Sequence, residues 1–298
     1  MKHVFLLNPA AGTKKFQRGL AETISKTAAN HGLDYEIHIT TGPGDARDYT
    51  ASCHSGEDVR FYAIGGDGTL NEVVNGILRR EGYSELALIP CGTGDDFVRV
   101  FPKKAPYLDL DRQITTKATP IDVIGTDLGV YGINMVNIGI DAQTAADVHR
   151  FSHIFPGTLA YVISLINRLM HKLGIPMKLT IDGHHIIEGN FILTAFANGR
   201  ACGGGFFASP KAEISDGLLE ITAVKKLTRL QFVSMVKGYK DGTHLDDPRY
   251  KDFIHYCQGK KVTLETPAPT KICIDGEIFE TNTVTAELLP KALNFVVL

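Results

Sequence analysis

A glycine-rich polar stretch offers the clearest chemistry in the chain: Gly65-Gly66-Asp67-Gly68-Thr69-Leu70-Asn71-Glu72. Between a strand and a helix, such a turn points backbone N–H groups and the positive end of the helix dipole at a ligand, which favours phosphate. Its glycines let the backbone approach that ligand closely, and Asp67 would place a carboxylate where a polyphosphate needs a metal ion. The alternative is a tight turn in which Asp67 or Thr69 only caps the helix.

Three further segments carry polar or glycine-rich turns that could meet a nucleotide. They are Asn8-Pro9-Ala10-Ala11-Gly12, the loop that begins at Thr40, and the segment from Ile89 to Arg99. Taken alone, Asn8 to Gly12 is better explained as an ordinary turn at the end of a strand, and Thr40 is equally well explained as the last residue of a strand. The segment from Ile89 to Arg99 is more informative. In the second half of the chain, spacing alone does not exclude a plain β-turn at Asp216-Gly217, which follows a run of glycines, and Asp275-Gly276 as a short string is better explained as a turn between strands.

The order of apolar patterns predicts the elements that position these turns. Strand and helix signals alternate up to about residue 120, which predicts an α/β domain with a mainly parallel sheet. Ligands bind at the carboxyl ends of such strands, where the four N-terminal turns fall. From residue 121 to residue 298 strand signals dominate, interrupted by helical patterns at 141–150, 158–172 and 228–240. We therefore predict a second, β-rich domain with two packed layers, and we expect the last residues of the chain to pack on the first domain.

Composition excludes several classes of protein. A formal net charge of −2 over 298 residues gives no support to nucleic-acid binding. The five cysteines are scattered without a CxxC pair, as expected for reduced thiols rather than a disulfide framework. The first strand starts at His3 without a charged and apolar leader, and no apolar stretch is long enough to span a bilayer. A cytoplasmic location, with peripheral attachment to a membrane as an option, is the expectation.

The string GGDGTLNE resembles the nucleotide-binding signature of diacylglycerol and sphingosine-type lipid kinases, which are related to NAD kinases and phosphofructokinases. Asn8 to Gly12 is similar to the family's NPxSG, and residues 90–99 are similar to its PxGTxNDFAR, with Asp95 in place of the family's asparagine. The glycine run, the Asp216-Gly217 pair and Asp275-Gly276-Glu277 follow in the family's order. The resemblance thus covers nearly the whole chain.

This resemblance implies roles for individual residues. It assigns Asp275 as the base that activates an acceptor hydroxyl and Asp67 as the carboxylate that organises a catalytic Mg²⁺. A second Mg²⁺ would be held by the Asp216 carboxylate and the backbone oxygens of Glu213 and Leu218. The residues implied in nucleotide binding are Asn8, Pro9, Ala10, Ala11, Gly12, Thr40, Gly65, Gly66, Asp67, Gly68, Thr69, Leu70, Asn71 and Thr93.

The implied activity is transfer of the γ-phosphate of ATP to a lipid hydroxyl, with diacylglycerol as the expected acceptor and phosphatidic acid as the product. Two alternatives stay open. One is a soluble-substrate kinase of the NAD kinase type. The other is a non-catalytic nucleotide- or lipid-binding regulator, which the presence of Asp95 in place of the family's asparagine makes conceivable. A homodimer is also left open.

A lipid substrate requires contact with a membrane surface. Apolar side chains between Phe151 and Val162, namely Phe151, Phe155, Leu159, Tyr161 and Val162, could form an interfacial surface with nearby Arg150, Arg168, His171 and Lys172. An apolar helix stripe more often faces protein, so we favour a core role for these residues.

Overall fold

The computed structural model describes residues 1–12, 14–101, 105–152, 157–171 and 173–298. The chain divides into two compact units, of which the first comprises Met1–Ile121 together with Lys291–Leu298 and the second comprises Asp122–Pro290. The first unit is α/β and the second is rich in sheet, as the sequence predicts.

The first unit alternates strands and helices up to residue 90. Its elements are β1 (Lys2–Leu7), α1 (Lys14–Asn30), β2 (Tyr35–Ile39), α2 (Asp45–Ser52), β3 (Val59–Gly65), α3 (Asp67–Ile77), β4 (Ser84–Pro90) and the short α4 (Leu110–Thr115). The strands pair in parallel in the order β2-β1-β3-β4. Asn294 and Phe295, near the end of the chain, add a further parallel pairing to Glu85 and Leu86 of β4.

Burial explains why these strands form. Every residue of β3 and β4 is buried, the pattern expected of parallel strands covered on both faces. In the core beneath the helices the rings of Phe5 and Tyr62 stack with centroids 4.1 Å apart, and Ile24 of α1 is fully buried among them. Because all strands run the same way, the turns that follow β1, β2, β3 and β4 emerge at one edge of the sheet.

The second unit is built on antiparallel strands. Its elements are β5 (Ala118–Thr126), β6 (Tyr131–Gly132), β7 (Met135–Gly139), α5 (Ile140–Ser152), α6 (Gly157–Leu169), β8 (Ile175–Ile181), β9 (His185–Ala197), β10 (Leu219–Lys225), α7 (Arg229–Asp241), β11 (Ile254–Gly259), β12 (Lys261–Ile274) and β13 (Glu277–Val296). The first residues of β5 and the last residues of β13 belong to the first unit. The long strands β9 and β12 each pair with both β7 and β8, β10 pairs with β9 and β11, and β13 pairs with β12.

Two hydrophobic clusters fill the second unit. One contains side chains from strands at both ends of this pairing order, including Ile124, Phe196, Ile221 and Val284, so opposite parts of the sheet share a core. The other lies between the sheet and the helices and includes Leu165 of α6 and Phe232 of α7. Helix α7 starts with a capping box in which the Thr228 side chain accepts from Gln231 N–H.

Several features differ from expectation or fall outside it. The sequence pattern did not predict α4 or β11. Of the residues considered for an interfacial surface, Phe155 and Lys172 lie outside the described residues. Among the helices that the structure describes, none is sufficiently long and apolar to cross a membrane.

Candidate active site

The turn between β3 and α3 is shaped by the lack of side chains on its first two glycines. A Cβ on Gly65 would lie 2.2 Å from Thr69 Oγ1, and a Cβ on Gly66 would lie 3.2 Å from the Gly92 backbone. Neither glycine has a positive φ, so these positions need glycine for space and not for backbone conformation. Packing therefore accounts for the Gly-Gly pair without invoking a ligand.

Gly68 differs from Gly65 and Gly66 in its surroundings. It lies in the first turn of α3, has no positive φ, and a Cβ built on it would meet nothing within 4 Å. The fold itself therefore gives no reason for glycine here, where alanine would favour the helix. Gly68 lines an open cavity, where the lack of a side chain leaves room for a ligand to approach the backbone.

This cavity, about 290 Å³ in volume, brings together three of the predicted turns. Asn8 Nδ2 donates to Thr69 Oγ1 at 2.9 Å, and Asn8 Oδ1 accepts from Ala10 N–H at 2.9 Å. These bonds join the turn after β1 to the start of α3. The lining residues are Asn8, Pro9, Ala10, Thr40, Thr41, Gly42, Pro43, Ala46, Gly68, Thr69 and Glu72.

The loop after β2 is fixed by two carboxylates. Asp45 Oδ2 accepts from both the N–H (2.6 Å) and the hydroxyl (2.8 Å) of Thr41. Glu72, on α3, accepts from Gly44 N–H at 2.8 Å and from Ala46 N–H at 3.1 Å. The Thr41 hydroxyl is therefore engaged within the loop, and the buried Thr40 beside it also lines the cavity.

The remaining residues implied in nucleotide binding do not line the cavity. Leu70 is buried in the core of the unit, and the Asn71 side chain accepts from Asn75 Nδ2 at 3.2 Å within α3. Thr93 is exposed on the loop after β4. Gly65, Gly66 and Asp67 shape the turn itself, and Ala11 and Gly12 continue the turn after β1.

Asp67 lies in a concentration of negative charge. Its Oδ1 accepts from the N–H groups of Asp96 (2.8 Å) and Phe97 (3.2 Å). Burial, and after it the neighbouring carboxylates of Asp96 and Asp95, nevertheless raise the pKa of Asp67 to about 6. A metal ion or a proton would relieve this repulsion.

The substitution at Asp95 has a structural explanation. Its backbone adopts a left-handed conformation with φ 46°, which aspartate and asparagine tolerate better than most residues. Asp95 Oδ1 accepts from Gly92 N–H at 2.9 Å and so closes the loop on itself. The adjacent Asp96 pairs with Arg99, with Nε and Oδ1 3.3 Å apart. Arg99 is thus one source of the charge compensation that two adjacent carboxylates require.

In the second unit, Asp275 occupies a turn between β12 and β13. With φ 47° and Gly276 at φ 98°, the pair is a hairpin turn of the Asp-Gly type. The Asp275 carboxylate accepts backbone N–H groups from Ile133 (2.6 Å), Asn134 (3.1 Å) and Met135 (2.7 Å). Three donors from one segment hold this carboxylate in a single orientation.

A second turn provides a reference for Asp275. Asp182-Gly183 joins β8 to β9 with φ values of 50° and 77°. Asp182 Oδ1 accepts from the N–H groups of Lys260 and Lys261, each at 2.9 Å. Backbone acceptance by a turn aspartate is therefore a structural device in this chain, and it does not by itself distinguish a catalytic residue.

The predicted metal loop is rich in oxygen and negative charge. Asp216 Oδ1 accepts from Leu218 N–H at 3.0 Å, and Asp122 Oδ2 accepts from Gly217 N–H at 2.8 Å. Desolvation, and to a lesser degree the carboxylates of Glu213 and Asp122, raise the pKa of Asp216. This all-oxygen donor set fits Mg²⁺. Within the described ranges, no three Asp, Glu, His or Cys side chains form a metal-binding cluster, so backbone oxygens would have to contribute.

Four residues that organise these sites were given no role by the sequence, although Glu72 lies at the end of the glycine-rich stretch. Glu72 and Asp122 act through the loops that they cap, as described above. Asn198 Nδ2 donates to the carbonyls of Asp122 and Ile133, and Asn134 Nδ2 donates to the Ala201 carbonyl. The only sequence signal for Asp122, Asn134 and Asn198 is a polar residue within an apolar strand pattern; the structure buries these three side chains and leaves Glu72 half-buried.

Models of known protein families match both units of this chain. The family model described as diacylglycerol kinase catalytic domain matches residues 2–125, and the model described as YegS C-terminal NAD kinase beta sandwich-like domain matches residues 134–297. A diacylglycerol kinase of Bacillus subtilis is 28% identical over 274 residues, which cover 91% of this chain and 88% of that protein.

Solved structures share the fold. A crystal structure of a diacylglycerol kinase from Bacillus anthracis has a TM-score of 0.71 at 23% identity and covers 100% of this chain and 97% of its own. An NAD kinase from Archaeoglobus fulgidus, solved in complex with ATP, has a TM-score of 0.54 at 10% identity, with 100% and 94% covered.

The α/β unit with its glycine turn and the β-rich unit that follows define a kinase of this fold class. The chain belongs to the family of diacylglycerol kinases and related bacterial lipid kinases.

Proposed function

We propose that this protein is an ATP-dependent diacylglycerol kinase that transfers the γ-phosphate of ATP to the free hydroxyl of diacylglycerol and forms phosphatidic acid and ADP. The observation that carries the proposal is the cavity around Gly68, where the turns after β1, β2 and β3 meet and where a glycine is present that the fold does not require. The family match supplies the class of acceptor.

In this proposal the cavity binds the phosphates of ATP. The backbone at Gly68 and the start of α3 offers N–H groups, and Asn8 and Thr40 offer side-chain donors. The carboxylate of Asp67 would hold the Mg²⁺ of the nucleotide, which when bound supplies positive charge to the phosphate oxygens. The raised pKa of Asp67 fits this role, because a cation would favour the ionised carboxylate.

Asp275 would act on the acceptor. As the lipid hydroxyl oxygen forms its bond to the γ-phosphorus, the bond from that phosphorus to the bridging oxygen of ADP breaks, and the hydroxyl proton passes to the Asp275 carboxylate. The three N–H groups that hold this carboxylate would keep it oriented during the transfer. The Asp216 carboxylate with the backbone oxygens of Glu213 and Leu218 would bind a second, structural Mg²⁺.

The decisive experiment measures transfer of labelled γ-phosphate to a panel of acceptors in detergent micelles with Mg²⁺: diacylglycerol, other lipid alcohols and, as the soluble alternative, NAD. The informative variant is Gly68→Ala, which should fold normally but raise the KM for ATP about tenfold or more, since a methyl group there would enter the phosphate site.

Gly19→Ala is the matched control. Gly19 also lies in a helix, has no positive φ and has nothing within 4 Å of a built Cβ, but it does not line the cavity. Label in phosphatidic acid, with a raised KM for ATP only in Gly68→Ala, would support the proposal. Label in the NAD product would identify NAD, and not diacylglycerol, as the acceptor. Tight ATP binding without transfer to any acceptor would indicate that the protein is a non-catalytic regulator.

A further inference from the structure

The carboxylate of Asp275 is held by the N–H groups of three consecutive residues, Ile133, Asn134 and Met135, which we call the donor segment. Ile133 and Asn134 lie between β6 and β7, and only Met135 belongs to a strand. The regular hydrogen bonds of a strand ladder therefore do not orient the first two of these residues. Other groups must fix the direction of their N–H bonds if Asp275 is to keep one orientation.

Asn198 holds the donor segment from the side opposite Asp275. Its side-chain Nδ2 donates to the Ile133 carbonyl at 2.9 Å, and its backbone N–H donates to the Asn134 carbonyl at 2.9 Å. A trans peptide group is planar, with its C=O and N–H pointing in opposite directions. The Ile133 carbonyl shares a peptide group with the Asn134 N–H, and the Asn134 carbonyl shares one with the Met135 N–H. Asn198 thus sets the direction of two of the three N–H groups that Asp275 accepts.

Asn198 is itself fixed in place by its surroundings. It is fully buried, and its Nδ2 also donates to the Asp122 carbonyl on β5 at 2.9 Å. The next residue, Gly199, adds a second N–H donor to the Asn134 carbonyl at 2.8 Å. Gly199 has no positive φ, but a Cβ on it would lie 1.9 Å from Asn134 Oδ1, so glycine is needed here for space. The Asn198-Gly199 pair therefore fits closely against the donor segment.

We infer that Asn198 is a positioning residue for phosphate transfer, because it orients the N–H groups that aim the Asp275 carboxylate at the acceptor hydroxyl. The inference rests on the proposed function, in which Asp275 accepts the hydroxyl proton. Since Asn198 is fully buried, it acts through the donor segment and does not touch the substrate. A displacement of about 1 Å in a catalytic group can lower the rate about 10²-fold, so this indirect role should be measurable.

Gln113 in the first unit is the matched control, because it makes the same kind of contacts away from Asp275. It is fully buried, and its Nε2 donates to the carbonyls of Leu88 and Tyr107 at 2.6 and 3.1 Å. In both residues the amide oxygen has no hydrogen-bond partner within the described part of the chain. Asn198→Leu and Gln113→Met roughly keep the size of the side chain and remove one donor from each of two buried carbonyls. Both should therefore lower the midpoint of urea unfolding to a similar extent.

The experiment measures steady-state phosphate transfer from ATP to diacylglycerol in detergent micelles with Mg²⁺. We expect kcat to fall about tenfold or more in Asn198→Leu, with a KM for ATP within about twofold of the wild type. In Gln113→Met, kcat should stay within about twofold of the wild type. Gly199→Ala is a second variant in case Asn198→Leu does not fold. It retains the hydrogen-bonding groups of Asn198, but its methyl group displaces Asn134, so kcat should fall in the same way.

A double-mutant cycle with Asp275→Asn separates action through Asp275 from a general effect on the fold. Asparagine keeps an oxygen for the donor segment and tolerates φ 47°, but it is not a base. Adding Asn198→Leu to Asp275→Asn should lower the residual transfer by less than about twofold, because the carboxylate that Asn198 orients is already absent. A purely structural role would instead lower transfer by the same factor in both backgrounds.

The outcomes distinguish failure of this inference from failure of the proposed function. A kcat that is normal in folded Asn198→Leu and Gly199→Ala, that falls equally in Gln113→Met, or that falls a further tenfold or so in the Asp275→Asn background would overturn the positioning role alone. A wild-type protein that transfers phosphate to no acceptor would refute the proposed function, and the positioning role with it.

Discussion

Asp67 and Asp275 each accept backbone N–H groups at a turn, yet their surroundings differ in charge. Asp67 accepts two N–H groups but lies next to Asp95 and Asp96, and its pKa is raised to about 6. Asp275 accepts N–H groups from three consecutive residues. The surroundings of Asp67 thus disfavour its ionised carboxylate. The carboxylate of Asp275, in contrast, is the acceptor for three backbone N–H groups. Under the proposed function, Asp67 would therefore act at a cost in stability, whereas Asp275 would contribute to both stability and catalysis.

The largest effect on stability should come from Asp275→Ala. The substitution leaves three backbone N–H groups without their acceptor and places alanine at φ 47°, so we expect the free energy of unfolding to fall by about 2–4 kcal/mol. Urea denaturation measures the change, and a free energy equal to that of the wild type would contradict it.

Asp182→Ala separates structure from catalysis. It removes the acceptor of two N–H groups at a similar Asp-Gly turn, so stability should fall by about 1–2 kcal/mol. If Asp275 is the base, phosphate transfer should fall by orders of magnitude in Asp275→Ala and should be unchanged in folded Asp182→Ala. Equal loss of kcat in both variants would reduce Asp275 to a structural role.

Asp67→Asn should have the opposite effect on stability. Asparagine keeps an oxygen for the N–H groups of Asp96 and Phe97 but removes the repulsion, so we expect the free energy of unfolding at pH 7 to rise by about 1–2 kcal/mol while transfer is lost. The stability that wild-type Asp67 contributes through its raised pKa is present below pH 3.8 and is lost as the pH rises through about 6. The difference between variant and wild type should therefore grow over this pH range, as followed by urea denaturation at several pH values.

The same pKa predicts weaker binding of the nucleotide in acid. Because a cation needs the ionised Asp67, the affinity for ATP with Mg²⁺ should decrease as the pH falls below about 6. Calorimetric titrations across this range would measure the effect, with ATP in the absence of Mg²⁺ as the control. A pH dependence that is identical with and without Mg²⁺ would exclude Asp67 as the carboxylate responsible.

A smaller effect is expected for Glu72→Gln. Glutamine retains one carbonyl oxygen for the N–H groups of Gly44 and Ala46, so the loop after β2 should loosen, stability should fall by about 1 kcal/mol and the KM for ATP should rise several-fold. Steady-state kinetics at varied ATP measures this change. A raised KM for diacylglycerol with normal KM for ATP would show that the loop serves the acceptor instead.

The sequence predicted the first unit more closely than the second for a physical reason. In parallel strands buried on both faces, such as β3, nearly every residue is apolar, and the turns that follow gather at one edge. The convergence of Asn8, Thr40 and Gly68 could therefore be anticipated. By contrast β11 has mixed burial and α4 spans only six residues, so neither has a clear period.

Long-range hydrogen bonds explain what the sequence did not reveal about the site. Glu72 bonds to residues 26 and 28 positions earlier, and Asp275 bonds to backbone groups some 140 positions earlier. No local pattern reports such pairs. The sequence also could not show that a side chain at Gly65 would collide with Thr69, whereas one at Gly68 would meet open space.

The pairing of Asn294 and Phe295 with β4 has a consequence for biosynthesis. The Asn294 side chain also donates to the Ser84 carbonyl, across a separation of 210 residues. A ribosome that adds roughly 5–20 residues per second would expose the edge of β4 for at least about ten seconds before its partner emerges. During that time the first unit presents an unpaired strand edge, which is prone to pairing with other chains. Deletion of residues 291–298 should make this exposure permanent and lower the yield of soluble protein.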